Sequence, residues 1–177
     1  MRPNETDTLD ADLARRAAPI RLLTLDVDGV LTDGRIYVDD LGREFKAFHA
    51  LDGTGIKLLQ QAGVVVAWIT GSRAPAVRHR AAQLGVGRVV LGAEDKLAPW
   101  EALRSELGLA PAACAHVGDD LPDLPVLAAC GLAVTVPHAP AIVRSRAHHV
   151  TVRDGGSGAV RETADLILAA RSLGAGT

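Results

Sequence analysis

The chain has 177 residues, 48% of them hydrophobic, and a formal net charge of −2; this suits one globular domain with a real core and excludes wholesale disorder. With 3% aromatic residues and no basic excess there is no nucleic-acid footprint, while Cys114 and Cys130, the only cysteines, form no metal-type pair and suit a reducing compartment. No run approaches the ~20 apolar residues that span a bilayer and the polar residues 1–18 lack the apolar segment of a secretory signal, so the expectation is a cytoplasmic, non-membrane protein with a flexible segment at 1–18 and a single domain over 19–177.

In chain order, Ile20–Leu25 is an apolar run of strand length that ends in Asp26-Val27-Asp28-Gly29. Arg35–Val38, the turn-rich Asp39–Gly42 and Arg43–Phe48 read as a β-hairpin inserted after this strand, at about 34–48. A helix is expected near Gly53–Gln61, then a strand over Val64–Ile69. Val77, Ala81 and Leu84 have helical spacing, Arg88–Leu91 reads as a strand, and Trp100, Leu103 and Leu107 return to the helical period before the stop signal Gly108. A strand follows at Ala113–Val117, then Leu121, Leu124 and Leu127 on one helix face, with Asp120 as an N-cap and Asp123 near N3. Leu132–Val136 and His149–Val152 complete the strands, and Ala159–Leu173 the helices, with His148 and His149 expected as strand-edge residues. Strands alternating with helices predict an α/β, Rossmann-like, mostly parallel sheet with helices on both faces, plus the hairpin. The interval from Asp28 to Thr70 is used up by hairpin, helix and strand, which leaves no space for a separate lid domain.

Ligands of open α/β sheets gather beyond the carboxyl ends of the strands. There the first strand offers Asp26 and Asp28, an i, i+2 pair on one strand face. The strand Val64–Ile69 leads into Thr70-Gly71-Ser72-Arg73, Ala113–Val117 leads into Gly118-Asp119-Asp120, and Lys96, one of three lysines, starts a helix. Taken singly, an Asp-Gly doublet after a strand is also what a solvated turn looks like, and Asp123 reads as structural. Taken together, paired carboxylates, a hydroxyl and an ammonium suit phosphoryl transfer, where catalysis is positioning plus charge neutralisation. Asp26 is the candidate nucleophile and Asp28 the acid that protonates the leaving alcohol and then deprotonates water. Thr70 with backbone N–H groups near Gly71 would hold phosphoryl oxygens, Lys96 would add positive charge, and a cation on Asp26 and Asp119 would relieve carboxylate repulsion. Gly155–Gly158 lacks a P-loop ending, which argues against nucleotide binding.

These motifs resemble the four motifs of the haloacid dehalogenase superfamily. The stretches 28–34, 52–56, 118–125 and 158–162, with the hairpin, resemble its capless 3-deoxy-D-manno-octulosonate 8-phosphate phosphatases over about residues 20–170. The resemblance implies hydrolysis of that sugar phosphate through an aspartyl-phosphate in lipopolysaccharide precursor synthesis, with Mg²⁺ bound by Asp26, the backbone carbonyl of Asp28, and Asp119. It implies catalytic roles for Asp26, Asp28, Thr70 and Lys96, and substrate binding by Asp28, His49, Ala50, Leu51, Asp52, Gly53, Lys57, Ser72, Arg80 and Lys96. It further implies a homotetramer whose hairpins pair centrally, each subunit covering a neighbour's site, and a glycine-rich tail closing over it. Relatives commonly carry Arg directly after Thr-Gly, where this chain has Ser72 followed by Arg73. Two alternatives share these residues: a sialic-acid-type 9-phosphate phosphatase, and a phospho-acceptor signalling domain, although such domains place the accepting Asp well inside the chain and lack the hairpin.

Overall fold

In the computed structural model, which describes residues 10–174, six parallel strands make one sheet. They are β1 (Leu22–Leu25), β4 (Val65–Thr70), β5 (Arg88–Leu91), β6 (Cys114–Val117), β7 (Leu132–Thr135) and β8 (His149–Val150), in the spatial order β5-β4-β1-β6-β7-β8. Two short antiparallel strands, β2 (Tyr37–Val38) and β3 (Glu44–Phe45), form the hairpin. The described residues also form seven α-helices: α1 (Ala11–Ala17), α2 (Ala50–Gln61), α3 (Pro75–Leu84), α4 (Leu97–Glu106), α5 (Leu124–Ala129), α6 (Ala141–Arg144) and α7 (Ala159–Gly174).

The strands are apolar on both faces, as a doubly covered parallel sheet requires, and alternate residues feed two cores. Leu23, Leu25, Val66, Trp68, Val117 and Val134 pack with Ile56 and Leu59 of α2, Val77 and Ala81 of α3 and Ile167 of α7. Leu22, Ala67, Ile69, Cys114 and Ala133 pack with Trp100 and Leu103 of α4, Val126 and Leu127 of α5 and Val143 of α6. Fully burying one such side chain stabilises by roughly 1.5–3 kcal/mol. No helix among the described residues is long and apolar enough to cross a membrane.

The predicted architecture is present, with corrections to its parts. Residues 11–17, assigned to a flexible segment, form α1. Asp10 caps it by accepting from the N–H groups of Asp12 and Leu13, and Ala17 is buried in the α2/α7 core; residues 1–9 of that segment lie outside the described residues. The first predicted helix begins three residues earlier, at Ala50, because His49 serves as its N-cap and accepts from Leu51 N–H. The hairpin pairs only over 37–45. Pro122 and Pro125 split the 121–127 helix into a 3₁₀ turn, Leu121–Asp123, followed by α5. Strand Leu132–Val136 ends at Thr135, His149–Val152 ends at Val150, and the single-turn α6 was not foreseen.

Candidate active site

Strand order reverses at β1, which pairs with β4 on one side and β6 on the other. Ligands bind outside the carboxyl ends of strands at such a switch point. Here a cleft of about 370 Å³ is lined by Asp26 and Asp28 after β1, Thr70, Gly71 and Ser72 at the end of β4, Lys96 before α4, and Asp119, Asp120 and Asp123 after β6. Gly29 turns the chain with φ +84, and a Cβ there would stand 1.9 Å from Asp119 Oδ2, so only glycine lets the first loop approach that carboxylate.

Lys96, 4% exposed, lies at the α4 N-terminus, where the helix dipole disfavours a cation. Two carboxylates compensate: its Nζ is 2.8 Å from Asp26 Oδ2 and 2.7 Å from Asp123 Oδ1. Asp123 is fully buried and saturated. Oδ1 also accepts from His116 Nε2 at 3.0 Å, and Oδ2 accepts the backbone N–H groups of Asp119 (3.1 Å) and Asp120 (3.2 Å). Asp119 differs. His138 Nε2 stands 3.5 Å from its Oδ2, and its buried Oδ1 has no partner.

Carboxylate oxygens of Asp26, Asp119 and Asp123 lie within 4.8 Å of one another. At that spacing like charges repel by about 3.5 kcal/mol at an effective dielectric of about 20. Burial, then the Asp123 charge, pushes Asp26 up to about 8, against the pull of Lys96. Burial and Asp123 likewise raise Asp119 to about 6. Burial also opposes ionisation of Asp123, but His116 and Lys96 outweigh it and hold that carboxyl down at about 2. A partnerless buried oxygen among crowded carboxylates fits a hard cation. Asp26 and Asp119 are the side chains suited to it, because four donors already occupy Asp123.

The hairpin supplies a residue the sequence reading missed. Lys46, one residue past β3, places Nζ 2.6 Å from both Asp28 Oδ1 and Glu44 Oε1. Thr70 is buried, and its Oγ1 accepts from Ser72 N–H at 3.1 Å; Ser72 Oγ in turn accepts from Ala74 N–H before α3. Other expected binding residues lie elsewhere. Asp52 is buried and accepts Arg161 N–H at 2.9 Å in the first turn of α7. Arg80 lies with its guanidinium against Gly53, and Arg73 rests on the backbone of Gly92. Lys57, Ala50 and Leu51 are exposed on α2 and, with His49, do not line the cleft. The glycine-rich tail does cross the first loop: Gly156 N–H donates to Val30 O at 3.0 Å, and a Cβ on Gly155 would meet Gly29 O. His138 Nδ1 binds Asp154 Oδ1 at 2.6 Å and so ties that tail toward Asp119.

A carboxylate cluster, a buried lysine and a hydroxyl at the switch point of a parallel sheet define a phosphoryl-transfer hydrolase. A family profile for haloacid dehalogenase-like hydrolases matches residues 51–131. The 3-deoxy-D-manno-octulosonate 8-phosphate phosphatase of Yersinia pestis is 47% identical over 160 residues, 90% of this chain and 86% of that one. Its Escherichia coli K12 counterpart is 45% identical over 163 residues, 92% and 87% of the two chains. The Yersinia pestis crystal structure superposes with a TM-score of 0.90 at 46% identity, covering 92% and 88%. The Moraxella catarrhalis phosphatase, solved with magnesium, phosphate and KDO, does so with 0.89 at 39%, covering 91% and 92%. The chain belongs to the 3-deoxy-D-manno-octulosonate 8-phosphate phosphatase family of haloacid dehalogenase-like hydrolases and is a phosphomonoester hydrolase of that type. The signalling-domain alternative falls with that membership.

Proposed function

We propose that the chain hydrolyses 3-deoxy-D-manno-octulosonate 8-phosphate to the free sugar acid and phosphate, in the cytoplasm and in the service of lipopolysaccharide precursor synthesis. The convergence of Asp26, Asp28, Lys96 and Asp119 on one cleft carries the reading of the chemistry, and the relatives' substrate carries the choice of sugar. Mg²⁺ would be held by Asp26, the backbone carbonyl of Asp28, and Asp119, and when bound it supplies positive charge against the phosphate. The Asp26 carboxylate attacks phosphorus, forming an aspartyl-phosphate as the bond to the sugar oxygen breaks. Asp28 gives its proton to that leaving oxygen and takes one back from the water that hydrolyses the intermediate. Lys96 keeps Asp26 in place and offsets charge, while Thr70 and backbone N–H groups near Gly71 receive phosphoryl oxygens. Asp28, Ser72 and Lys96 contact substrate from within the cleft. His49, Ala50, Leu51, Lys57 and Arg80 lie outside it, which fits a homotetramer in which this face serves a neighbour's site, whereas Asp52 and Gly53 are buried beneath that face.

Phosphate release with and without Mg²⁺ across octulosonate 8-phosphate, a sialic-acid-type 9-phosphate and simple hexose phosphates tests the proposal. The expected result is Mg²⁺-dependent turnover with the highest kcat/KM on the eight-carbon acid. Preference for the nine-carbon acid would overturn the sugar and leave the chemistry standing. Asp26→Asn should fall to background in a folded protein, and full activity in that variant would end the nucleophile assignment.

A further inference from the structure

We infer that His116 is a positioning residue for this reaction, setting through Asp123 how Lys96 is shared with the nucleophile Asp26; the inference rests on the phosphatase reading above. His116 lies inside β6, fully buried, on the sheet face covered by α4 and α5. Both ring nitrogens are engaged: Nδ1 is 2.9 Å from Oγ1 of Thr24, its register partner on β1, and Nε2 is 3.0 Å from Asp123 Oδ1. The imidazole is thus fixed between the strand that ends in Asp26 and the strand that leads to Asp119. Its neighbours on this face include Leu22, Cys114 and Ala133, so an apolar side chain would meet the packing need without burying two polar groups.

Both oxygens of Asp123 already accept, Oδ1 from Lys96 Nζ and Oδ2 from the N–H groups of Asp119 and Asp120, so the hydrogen between Nε2 and Oδ1 belongs to the imidazole. Oδ1 therefore divides its charge between His116 and Lys96, and Lys96 Nζ stays 2.8 Å from Asp26 Oδ2. Without the imidazole donor, Lys96 alone neutralises Oδ1, and the ammonium shifts toward Asp123 and away from the nucleophile. Oδ2 holds the N–H groups of Asp119 and Asp120, so a loosened Asp123 also loosens the start of that loop. Neither His116 nor Thr24 lines the cleft. The effect should therefore fall on turnover and leave substrate binding unchanged.

The test measures kcat and KM for wild type, His116→Phe, His116→Gln and Thr24→Val with Mg²⁺ present, on a generic aryl phosphate and on the octulosonate 8-phosphate, with thermal unfolding alongside. His116→Phe is expected to lose kcat about tenfold, as outer-shell partners of charged sites typically do, with KM within about twofold. His116→Gln, which can place an N–H near the position of Nε2, should keep kcat within about threefold. Thr24→Val, which keeps the volume and removes the ring's other anchor, should lose kcat about threefold. Wild-type kcat in both His116→Phe and Thr24→Val would overturn the inference, as would a rise in KM at constant kcat or a His116→Gln loss equal to that of His116→Phe. If His116→Phe does not fold, the other two variants decide: slowed Thr24→Val with active His116→Gln supports the inference, and any other pairing overturns it. A wild type releasing no phosphate from either substrate would overturn the phosphatase reading itself, and the role of His116 with it.

Discussion

Burial and the Asp123 charge lift the carboxyls of Asp26 and Asp119 to about 8 and about 6, from an ordinary value of 3.8. A carboxyl raised on folding binds more protons in the native state than in the unfolded one, so its stabilising contribution is complete below about pH 4 and is lost as pH rises through the folded value. The cation-free protein is therefore expected to lose thermal stability through this pair between about pH 4 and pH 8. Mg²⁺ should restore it, by about 2.7 kcal/mol at a concentration a hundredfold above its dissociation constant. The shift in melting temperature on adding Mg²⁺ should be larger at pH 8 than at pH 5, and Asp26→Asn should flatten both trends; an equal shift at both pH values would contradict this account. Asp123, held down at about 2, acts in the opposite direction: its stabilisation is present above 3.8 and is lost only as pH falls toward 2. The residues of this cluster were unequally legible in the sequence. Asp26, Thr70, Lys96 and Asp119 stand at strand or helix ends, where periodicity already points to a shared rim. His116 stands inside an apolar strand, and its meaning depends on Thr24 being its neighbour across the sheet, which depends on strand order. One polar residue in Cys114-Ala115-His116-Val117 was the only signal. Asp52, assigned to substrate binding by family resemblance, lies buried in the first turn of α2 and accepts from Arg161 N–H of α7, a tertiary contact that no local pattern encodes.

The hairpin is the element that joins the catalytic loop to the outside of the molecule. Lys46 leaves β3 and reaches Asp28 and Glu44, and these hydrogen bonds outweigh burial and raise its pKa. Its ammonium thereby fixes the direction of the proposed acid and base. Lys46→Met should lower kcat about tenfold with smaller effect on KM, because a charge-assisted hydrogen bond to a reacting group is removed; steady-state kinetics on the aryl phosphate would check this, and an unchanged kcat would reduce Lys46 to a structural tether. The existence of the hairpin was plain from its turn residues, but this contact was not, because it joins positions 18 residues apart through a fold of the chain. Helix starts followed the same rule. Asp120 and Asp123 announce a cap and form a capping box, whereas His49 is an uncommon N-cap, so the first turn of α2 carries no start signal in the sequence. α1 is short and charged on its outer face, and the Asp10 cap together with the packing of Leu13, Ala17 and Ala18 on the core holds it.

Across the whole molecule, both sheet faces are covered by helices, while the hairpin leaves apolar side chains uncovered. Ile36 and Leu41 are 78% and 77% exposed, and Val38 and Phe45 are also open to solvent. A two-stranded ribbon of this length is marginal by itself, and clustered exposed apolar groups mark an interaction surface. Pairing of hairpins from four copies would cover these groups and bring a neighbour's face, with His49, Lys57 and Arg80, toward each cleft. Ile36→Asp combined with Leu41→Asp tests this cleanly, since residues so exposed contribute little to the stability of one chain. Light scattering should give the mass of four chains for wild type and of one or two for the double variant, with the melting temperature of the isolated chain little changed. If neighbours complete the site, kcat/KM on the sugar phosphate should drop by at least about tenfold on dissociation, while hydrolysis of a small aryl phosphate, which needs only the cleft residues, should fall much less. A wild type that is monomeric and fully active on the sugar would show that one chain suffices, and would assign Lys57 and Arg80 to the surface.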